Sequence, residues 1–336
     1  MQPMTSNATP VRQLAVAGIN LLLKLEEFFP SGSSKGRPAG LIADSLRRTG
    51  MFQSVGGQKP LFLAPSSGNF WRGFAHHTQN DSIEVLAVSD HLSPPELRVV
   101  PETFPHVRLK VIDNPDETGS HLRARLAWIA DFCRRVPRAI LIDQYRDPRV
   151  PLAYEALARE IDEQADGHVG AIFVPVGTGG LLNGISRYSL TNDRRWRIFA
   201  VDARGSRLFW TPIGVRRQFS GFGNGSPTEF VREVSAKPYN FIVVHVDDRH
   251  SALVCHRLRR MHGILLGPSG GATIAAVERV ARVRPDLIPD AGHIVAVIPD
   301  GGTNYMSTLY SSDWLMAHGL GDFIHEPVYV EEDCYA

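Results

Sequence analysis

Four short turns in this chain gather glycines and hydroxyl residues where an apolar, strand-like run gives way to a helix-like one. In "PVGTGGLLNG" the run Ala171–Val176 ends in Gly177, Thr178, Gly179 and Gly180. Glycines let the backbone approach an anion closely, and the N–H groups of a first helical turn point at it, so this turn is built as a phosphate cup. In "APSSGNFWRG" the residues Ser66, Ser67, Gly68 and Asn69 start a helix. Serine there is a good cap, and the same exposed N–H groups would hold a carboxylate. "LLGPSGGAT" puts Ser269 at the mouth of a third turn, and "IPDGGTNYMST" supplies a fourth. Any one of them reads equally as a plain cap or tight turn; the four together point to a ligand. No GxxxxGK[ST] or GxGxxG pattern occurs, which weakens nucleotide-hydrolase and dinucleotide readings.

A lysine joins this set. In "FFPSGSSKGRPA" Lys35 follows Ser31, Gly32, Ser33 and Ser34 and opens a helix-like segment. By itself it is a surface charge, a phosphate clamp or a covalent attachment point. Its small neighbours allow close approach of a flat ring, and burial would lower its pKa so that the amine is neutral and able to form an imine with an aldehyde. A phosphate cup and an imine-forming lysine together suggest pyridoxal 5'-phosphate, with the cofactor as electron sink and the protein supplying orientation.

The elements that must position these turns follow an alternating pattern. Strand-like "PLFLAP", "IEVLAVS", "VRLKVID", "RAILIDQY", "HVGAIFVPVG", "WRIFAVDA", "FIVVHVD" and "HIVAVIPD" are separated by helix-length segments, among them "GNFWRGFAHHTQ", "PPELRVVPETF", "SHLRARLAWIADFCRRV" and "PLAYEALAREIDEQ". This predicts an α/β fold of right-handed βαβ units, with two doubly wound, mainly parallel sheets rather than one. A boundary falls near 146, where "YRDPRVP" concentrates turn residues. The expected division is a smaller domain over 37–145 and a larger one from 1–36 plus 146–336, with the cofactor in the cleft between. In such sheets ligands sit at the carboxyl ends of strands, where the four turns lie.

Composition narrows the function classes. With 336 residues, 43% hydrophobic and 21% charged, the chain can bury a sizeable core. A net charge of +1 makes no case for nucleic acid or an acidic membrane surface. The apolar run "LAVAGINLLL" is too short to span a bilayer and has no basic leader, so neither membrane nor signal peptide is expected. Cys133, Cys255 and Cys334 are isolated, which fits a reducing cytoplasm, and the adjacent His76 and His77 lack metal-ligand spacing. The tail "EPVYVEEDCYA" is acidic and reads as a surface extension.

The order of these motifs resembles the cysteine synthase branch of pyridoxal-phosphate enzymes of fold type II, the tryptophan synthase β-like fold. "TPVRQL" resembles TPLVRL, "KLEEFFPSGSSKGRPA" resembles KxExxNPxGSxKDRxA, "SSGN" resembles TSGN, and "DQYRDPRVPLAY" resembles QFxNPxNPxAHY. "GTGG" matches the phosphate loop, "GILLGPSGGAT" resembles GixxGxSSGA, and "PDGGTNYMST" resembles PDSGERYLST. The resemblance implies that Lys35 carries the cofactor and moves the α-proton. It implies that Asn69 contacts the 3-hydroxyl, that Gly177, Thr178, Gly179 and Gly180 hold the phosphate, and that Ser269 faces the ring nitrogen. Ser66, Ser67, Gly68 and Gln144 would contact the substrate carboxylate, and Gly223, with Asn224, lines the mouth in "GFGNGSP". A neutral serine at the ring nitrogen would moderate the electron sink and favour α,β-elimination.

The function this resemblance implies is β-replacement on an O-activated L-serine, O-phosphoserine or O-acetylserine, through an α-aminoacrylate, by a homodimer acting on small amino acids. Phe70 and Trp71 replace Thr-Gly, Gly36 replaces an aspartate beside the lysine, and "GGTN" replaces SGER. These departures argue against an ordinary cysteine synthase. "AVDARGSRLFW" is similar to a sub-branch that joins O-phosphoserine to glutamate on the way to 2,3-diaminopropionate, so an amine nucleophile is favoured. Arg204, Arg207, Arg216 and Arg217 lie where a phosphate or dicarboxylate could be read. The alternatives are a sulfhydrylase, a serine/threonine deaminase-type lyase and a non-catalytic homologue, the last opposed by retention of Lys35, Asn69, the GTGG loop and Ser269.

Overall fold

A computed structural model describes residues 8–90, 93–99, 103–117, 120–209, 217–237 and 239–325. The eight apolar runs are strands. Four of them, β3 (Leu61–Pro65), β4 (Glu84–Asp90), β5 (Val107–Ile112) and β6 (Ala139–Leu141), form a parallel sheet in the order β5-β4-β3-β6. The second sheet holds β1 (Val11–Val16), β2 (Ile19–Leu25), β7 (Val169–Pro175), β8 (Arg197–Ala203), β9 (Phe241–Val246) and β10 (His293–Ile298), in the order β1-β2-β10-β7-β8-β9. It is parallel throughout except for the β1–β2 pair. Helices cover both faces, which is why β3 is buried along its whole length and reads as a continuous apolar run rather than an alternating one.

Two segments depart from the sequence reading. The run "LAVAGINLLL" is not one apolar element but the two arms of a hairpin. Ala17 and Gly18 turn it with φ of 49° and 74°, the two positive values a tight type I′ turn needs, and β2 then joins β10 in parallel. The helix expected over "PPELRVVPETF" is described only as the single turn Pro95–Arg98. Val100–Glu102, Arg216, Cys334 and the acidic tail lie outside the described residues. Among the described residues no helix is long and apolar enough to cross a membrane.

One core runs between the sheets. Phe62, Trp71 and Phe74 pack beneath the smaller sheet and continue through Val150 and Tyr154 to Val174 and Leu182 beneath the larger one. Beside this core lies a buried ionic cluster. The Arg37 guanidinium donates to both carboxylate oxygens of Glu26 (2.6 and 2.8 Å) and both of Glu160 (2.9 and 3.1 Å), and also to the Thr9 hydroxyl. Lys24, fully buried on β2, donates to Glu160, to the Thr9 carbonyl at 2.5 Å and to Gln164 at 2.7 Å. Two cations and two carboxylates thereby fix three things together: the end of β2, the helix Arg149–Gln164 and the first turn of the helix Gly36–Arg48.

That first turn is crowded. A Cβ on Gly36 would overlap Ser31 Oγ and stand 2.6 Å from the Phe29 ring. Phe29 occupies the position of the asparagine in the NPxGSxKDR pattern, so the aromatic ring takes the room that an aspartate at 36 would need. The ring also lies 5.1 Å under the Arg37 guanidinium. The Phe29–Gly36 exchange is thus a coupled one.

Substitutions at both places test this packing. Arg37→Met leaves buried Glu26 and part-buried Glu160 with one cation, and should destabilise the protein by about 3–5 kcal/mol in urea unfolding. Gly36→Asp should lose about 1–3 kcal/mol through overpacking, and adding Phe29→Asn should recover the part due to the ring while the overlap with Ser31 Oγ remains.

Candidate active site

The predicted turns meet at the carboxyl ends of strands from both sheets. β7 runs into Gly177–Gly180, β10 into Pro299 and Asp300, and β2 leads through a 3-10 turn to Lys35. From the smaller sheet β3 runs into Ser66–Asn69, β4 ends at Asp90, and Gln144 follows β6. One cavity between them is lined by Lys35, Ser66, Ser67, Asn69, Gln144, Gly177, Thr178, Gly179, Gly223, Asn224 and Ser269. Gly68 and Gly180 lie next to it rather than on its wall. Their part is conformational: Gly68 has φ of 147° and a Cβ there would overlap the Leu97 side chain, while Gly180 N–H donates to the Thr178 hydroxyl at 3.3 Å.

At the phosphate cup, Gly179 caps the helix Gly180–Thr191 in the left-handed region, φ 84°, which glycine adopts without strain. The N–H groups of Gly177, Thr178 and Gly179 have no protein acceptor among the described residues. The segment from Arg217 to Gly225 folds over this turn. Gly223 N–H donates to the Val176 carbonyl at 2.6 Å, and a Cβ on Gly177 would meet the Gly221 carbonyl at 2.8 Å. Thr228 fixes the turn from beneath by donating to the Thr178 carbonyl at 2.7 Å. A cradle of unpaired N–H groups suits a phosphate ester.

Lys35 is half-buried and its Nζ lies 3.5 Å from the Thr178 hydroxyl. Removal from water pulls its pKa down to about 8, against the opposing field of Asp300. Around Ser66 the geometry divides roles the sequence had grouped. The Ser66 hydroxyl accepts from Gly68 N–H (3.1 Å) and Phe70 N–H (3.3 Å), so it shapes the turn. The N–H groups of Ser67 and Asn69, both on the wall, have no protein partner among the described residues and are left for a ligand. Gln144, buried, spends one N–H on the Pro65 carbonyl at 2.5 Å. Asn69 donates to Asp300 at 2.6 Å, and the Ser269 hydroxyl lies 3.5 Å from the other Asp300 oxygen. An imine-forming amine, an anion cradle and two polar groups for a ring edge are all in one cavity, and they fit pyridoxal phosphate.

Two side chains on the wall were not singled out together by the sequence. Arg125 is buried, ion-paired with Asp90 at 3.1 Å, and its Nε has no hydrogen-bond partner. The signal was present: Leu122, Arg125 and Ile129 are the buried residues of the helix His121–Arg135, so a guanidinium interrupts the apolar stripe. Of the arginines considered after β8, Arg217 reaches the cavity, donating to the Phe222 carbonyl at 2.8 Å, and burial lowers its pKa. Arg204 is exposed, and neither it nor Arg207 lines the wall.

Known structures share this architecture. An O-acetylserine dependent cystathionine β-synthase from Helicobacter pylori superposes with a TM-score of 0.77 at 22% identity, over 92% of this chain and 99% of that one. An O-ureido-L-serine synthase gives 0.74 at 22%, over 92% and 96%. A hydrogen sulfide-producing enzyme from Fusobacterium nucleatum gives 0.77 at 20%, over 88% and 96%. These likenesses carry the fold. Membership comes from sequence: the profile of the pyridoxal-phosphate dependent enzymes matches residues 5–300, from the strand hairpin through Lys35 to Asp300. The chain belongs to that family, and it is a pyridoxal-phosphate dependent enzyme.

Proposed function

We propose that this enzyme carries out β-replacement on an O-activated L-serine, with an amine as the incoming nucleophile. One observation carries the reading: the Lys35 amine, held near pKa 8, shares a cavity with an anion cradle on one side and the free N–H groups of Ser67 and Asn69 on the other. When bound, the cofactor supplies the electron sink. Gly177, Thr178, Gly179 and Gly180 hold its phosphate, Asn69 and Ser269 meet its ring edge, and Lys35 attaches it. Ser67, Asn69 and Gln144 orient the substrate carboxylate, with Ser66 and Gly68 shaping that turn and Gly223 closing the mouth. Lys35, as an amine, takes the proton from the substrate α-carbon and later returns one.

Arg217 and Arg125, the latter paired with Asp90 but with its Nε unpartnered, both line the cavity and support an anionic group on the donor or the nucleophile. The names of two similar structures, an O-acetylserine dependent synthase and an O-ureido-L-serine synthase, support an O-substituted serine as donor. The same proposal takes residues 37–145 as the smaller domain and 1–36 with 146–336 as the larger, in a cytoplasmic homodimer.

Two experiments test it. Borohydride treatment of the holoenzyme should fix the cofactor on the peptide carrying Lys35, and Lys35→Ala should lose the visible absorbance and at least about 10³-fold in turnover. Product mass spectra with O-phosphoserine or O-acetylserine, supplied in turn with glutamate, other amines, sulfide or water, should show an amine adduct; pyruvate with every nucleophile sinks the proposal in favour of a lyase. Separately, uptake of the cofactor by apoprotein requires the neutral amine. Its rate should rise as pH passes through about 8 and level off above, because the Lys35 ammonium prevails below that value. A midpoint in the ordinary lysine range would show that burial does not tune this group.

A further inference from the structure

The turn Ser66–Asn69 leaves the N–H groups of Ser67 and Asn69 for a substrate carboxylate, and the residue between them is a glycine. Gly68, at φ 147°, is a pivot: with no side chain of its own, it does not fix how the two N–H groups point relative to each other. The segment Ser93–Arg98 supplies the missing constraint. The Ser93 hydroxyl donates to the Ser67 carbonyl. The buried Leu97 side chain packs on Gly68 so closely that a Cβ there would stand 2.4 Å from its methyl carbon.

That segment is by itself a weak support. Pro95–Arg98 is one helical turn, and a turn of that length has no stability of its own in water. Half-buried Glu96 ties it to the opposite side of the cleft. Its Oε1 accepts from Ser307 N–H at 2.6 Å and its Oε2 from the Ser307 hydroxyl at 2.9 Å. Ser307 lies in the stretch after β10, which is fixed to the body of the larger sheet. There Gly302 N–H donates to the Leu265 carbonyl at 2.9 Å, and the Tyr310 hydroxyl donates to the Leu266 carbonyl at 2.8 Å. A second bond crosses the cleft beside this one, from Arg72 Nη1, on the helix Asn69–His77, to Asn304 Oδ1 at 2.7 Å. A carboxylate that accepts with both oxygens makes bonds that are stronger and more directional than those between neutral groups.

We propose that Glu96 is a positioning residue: by gripping Ser307 with both oxygens it keeps Leu97 seated on Gly68, and so keeps the N–H groups of Ser67 and Asn69 convergent on the substrate carboxylate. This rests on the reading of those N–H groups as the carboxylate contact. Glu96 is not among the residues that line the cavity, so it acts through the Pro95–Arg98 turn and touches neither substrate nor cofactor. Lys35 and the phosphate cup stand on other elements, and loading of the cofactor is therefore independent of the grip.

The test titrates holoenzyme with L-alanine, which has no leaving group at Cβ, and with L-alaninamide, which lacks the carboxylate, following the visible absorbance of the cofactor. Wild type should prefer L-alanine. Glu96→Ala should weaken L-alanine binding roughly tenfold, as loss of a charge-assisted contact would, and leave L-alaninamide binding and cofactor content unchanged. Ser307→Ala, at an exposed position, removes the hydroxyl and keeps the N–H. It should weaken L-alanine binding severalfold in the same selective way, and it carries the test if Glu96→Ala does not fold. Added to Glu96→Ala it should cost nothing more, because the bond the hydroxyl makes is to Glu96. Wild-type affinity for L-alanine in either single variant overturns the inference, and so does an equal loss for both ligands. Equal binding of the two ligands by wild type overturns it together with the carboxylate contact beneath it. A wrong donor or nucleophile would leave all these affinities as they are and show instead in the product mass spectra.

Discussion

The turn from Phe29 to Lys35 has to reach a cavity that both sheets build, and the Arg37 guanidinium is what pins it there. Two residues beyond the lysine, Arg37 binds Glu26 at the end of β2 and Glu160 on a helix of the core, while Lys24 and Thr9 complete the same cluster. Four charges, Lys24 and Glu26 fully buried and Arg37 and Glu160 mostly so, are a poor source of net stability, since desolvation offsets most of the Coulomb attraction, and an apolar set of equal volume would serve as well or better for that purpose. What such a set would lack is direction. Five donors in a planar fork, matched to two carboxylates and a hydroxyl, admit one orientation of the helix start. Lys35 therefore enters the cavity at a defined point beside Thr178, and its amine can be desolvated there without drifting back to water.

The same constraint explains why the neighbourhood of Lys35 departs from the motif it resembles. Phe29 and Gly36 are separate letters in the sequence, and of the two only Gly36 stands out there as a departure. In the folded turn they adjoin, because the ring, together with the Ser31 hydroxyl, fills the place a side chain at 36 would take. A sequence motif compared letter by letter cannot show that two departures cancel. This is a question of volume in three dimensions.

Much of the fold and most of the wall of the site were legible from the chain itself. Parallel strands buried on both faces leave short continuous apolar runs, and ligand turns at their carboxyl ends leave Gly/Ser clusters, so Lys35, Asn69, Thr178 and Ser269 could be named in advance. The strand hairpin escaped because its two arms are joined by two small residues and read as one apolar run. Arg125 was missed for the opposite reason: a charge in a charged helix reads as solvated until the buried stripe Leu122–Ile129 is seen to include it. Ser66 and Ser67 are adjacent and chemically alike, and only hydrogen-bond bookkeeping separates the one that shapes the turn from the one that leaves an N–H free.

Asp300 belongs to a further class, a carboxyl group that only the folded chain surrounds with donors, Asn69 and Tyr305 each reaching its Oδ2 at 2.6 Å. Charged side chains of both signs line the cavity, Asp90 and Asp300 with Lys35, Arg125 and Arg217, and Arg125 is paired with Asp90 at 3.1 Å. Pyridoxal phosphate bound here would be held at its phosphate by the N–H groups of Gly177, Thr178 and Gly179, which have no protein acceptor among the described residues. Fixed N–H groups and side chains already paired with one another need not reorganise when a charged ligand arrives, which is what a site of this kind gains from being built before it is filled.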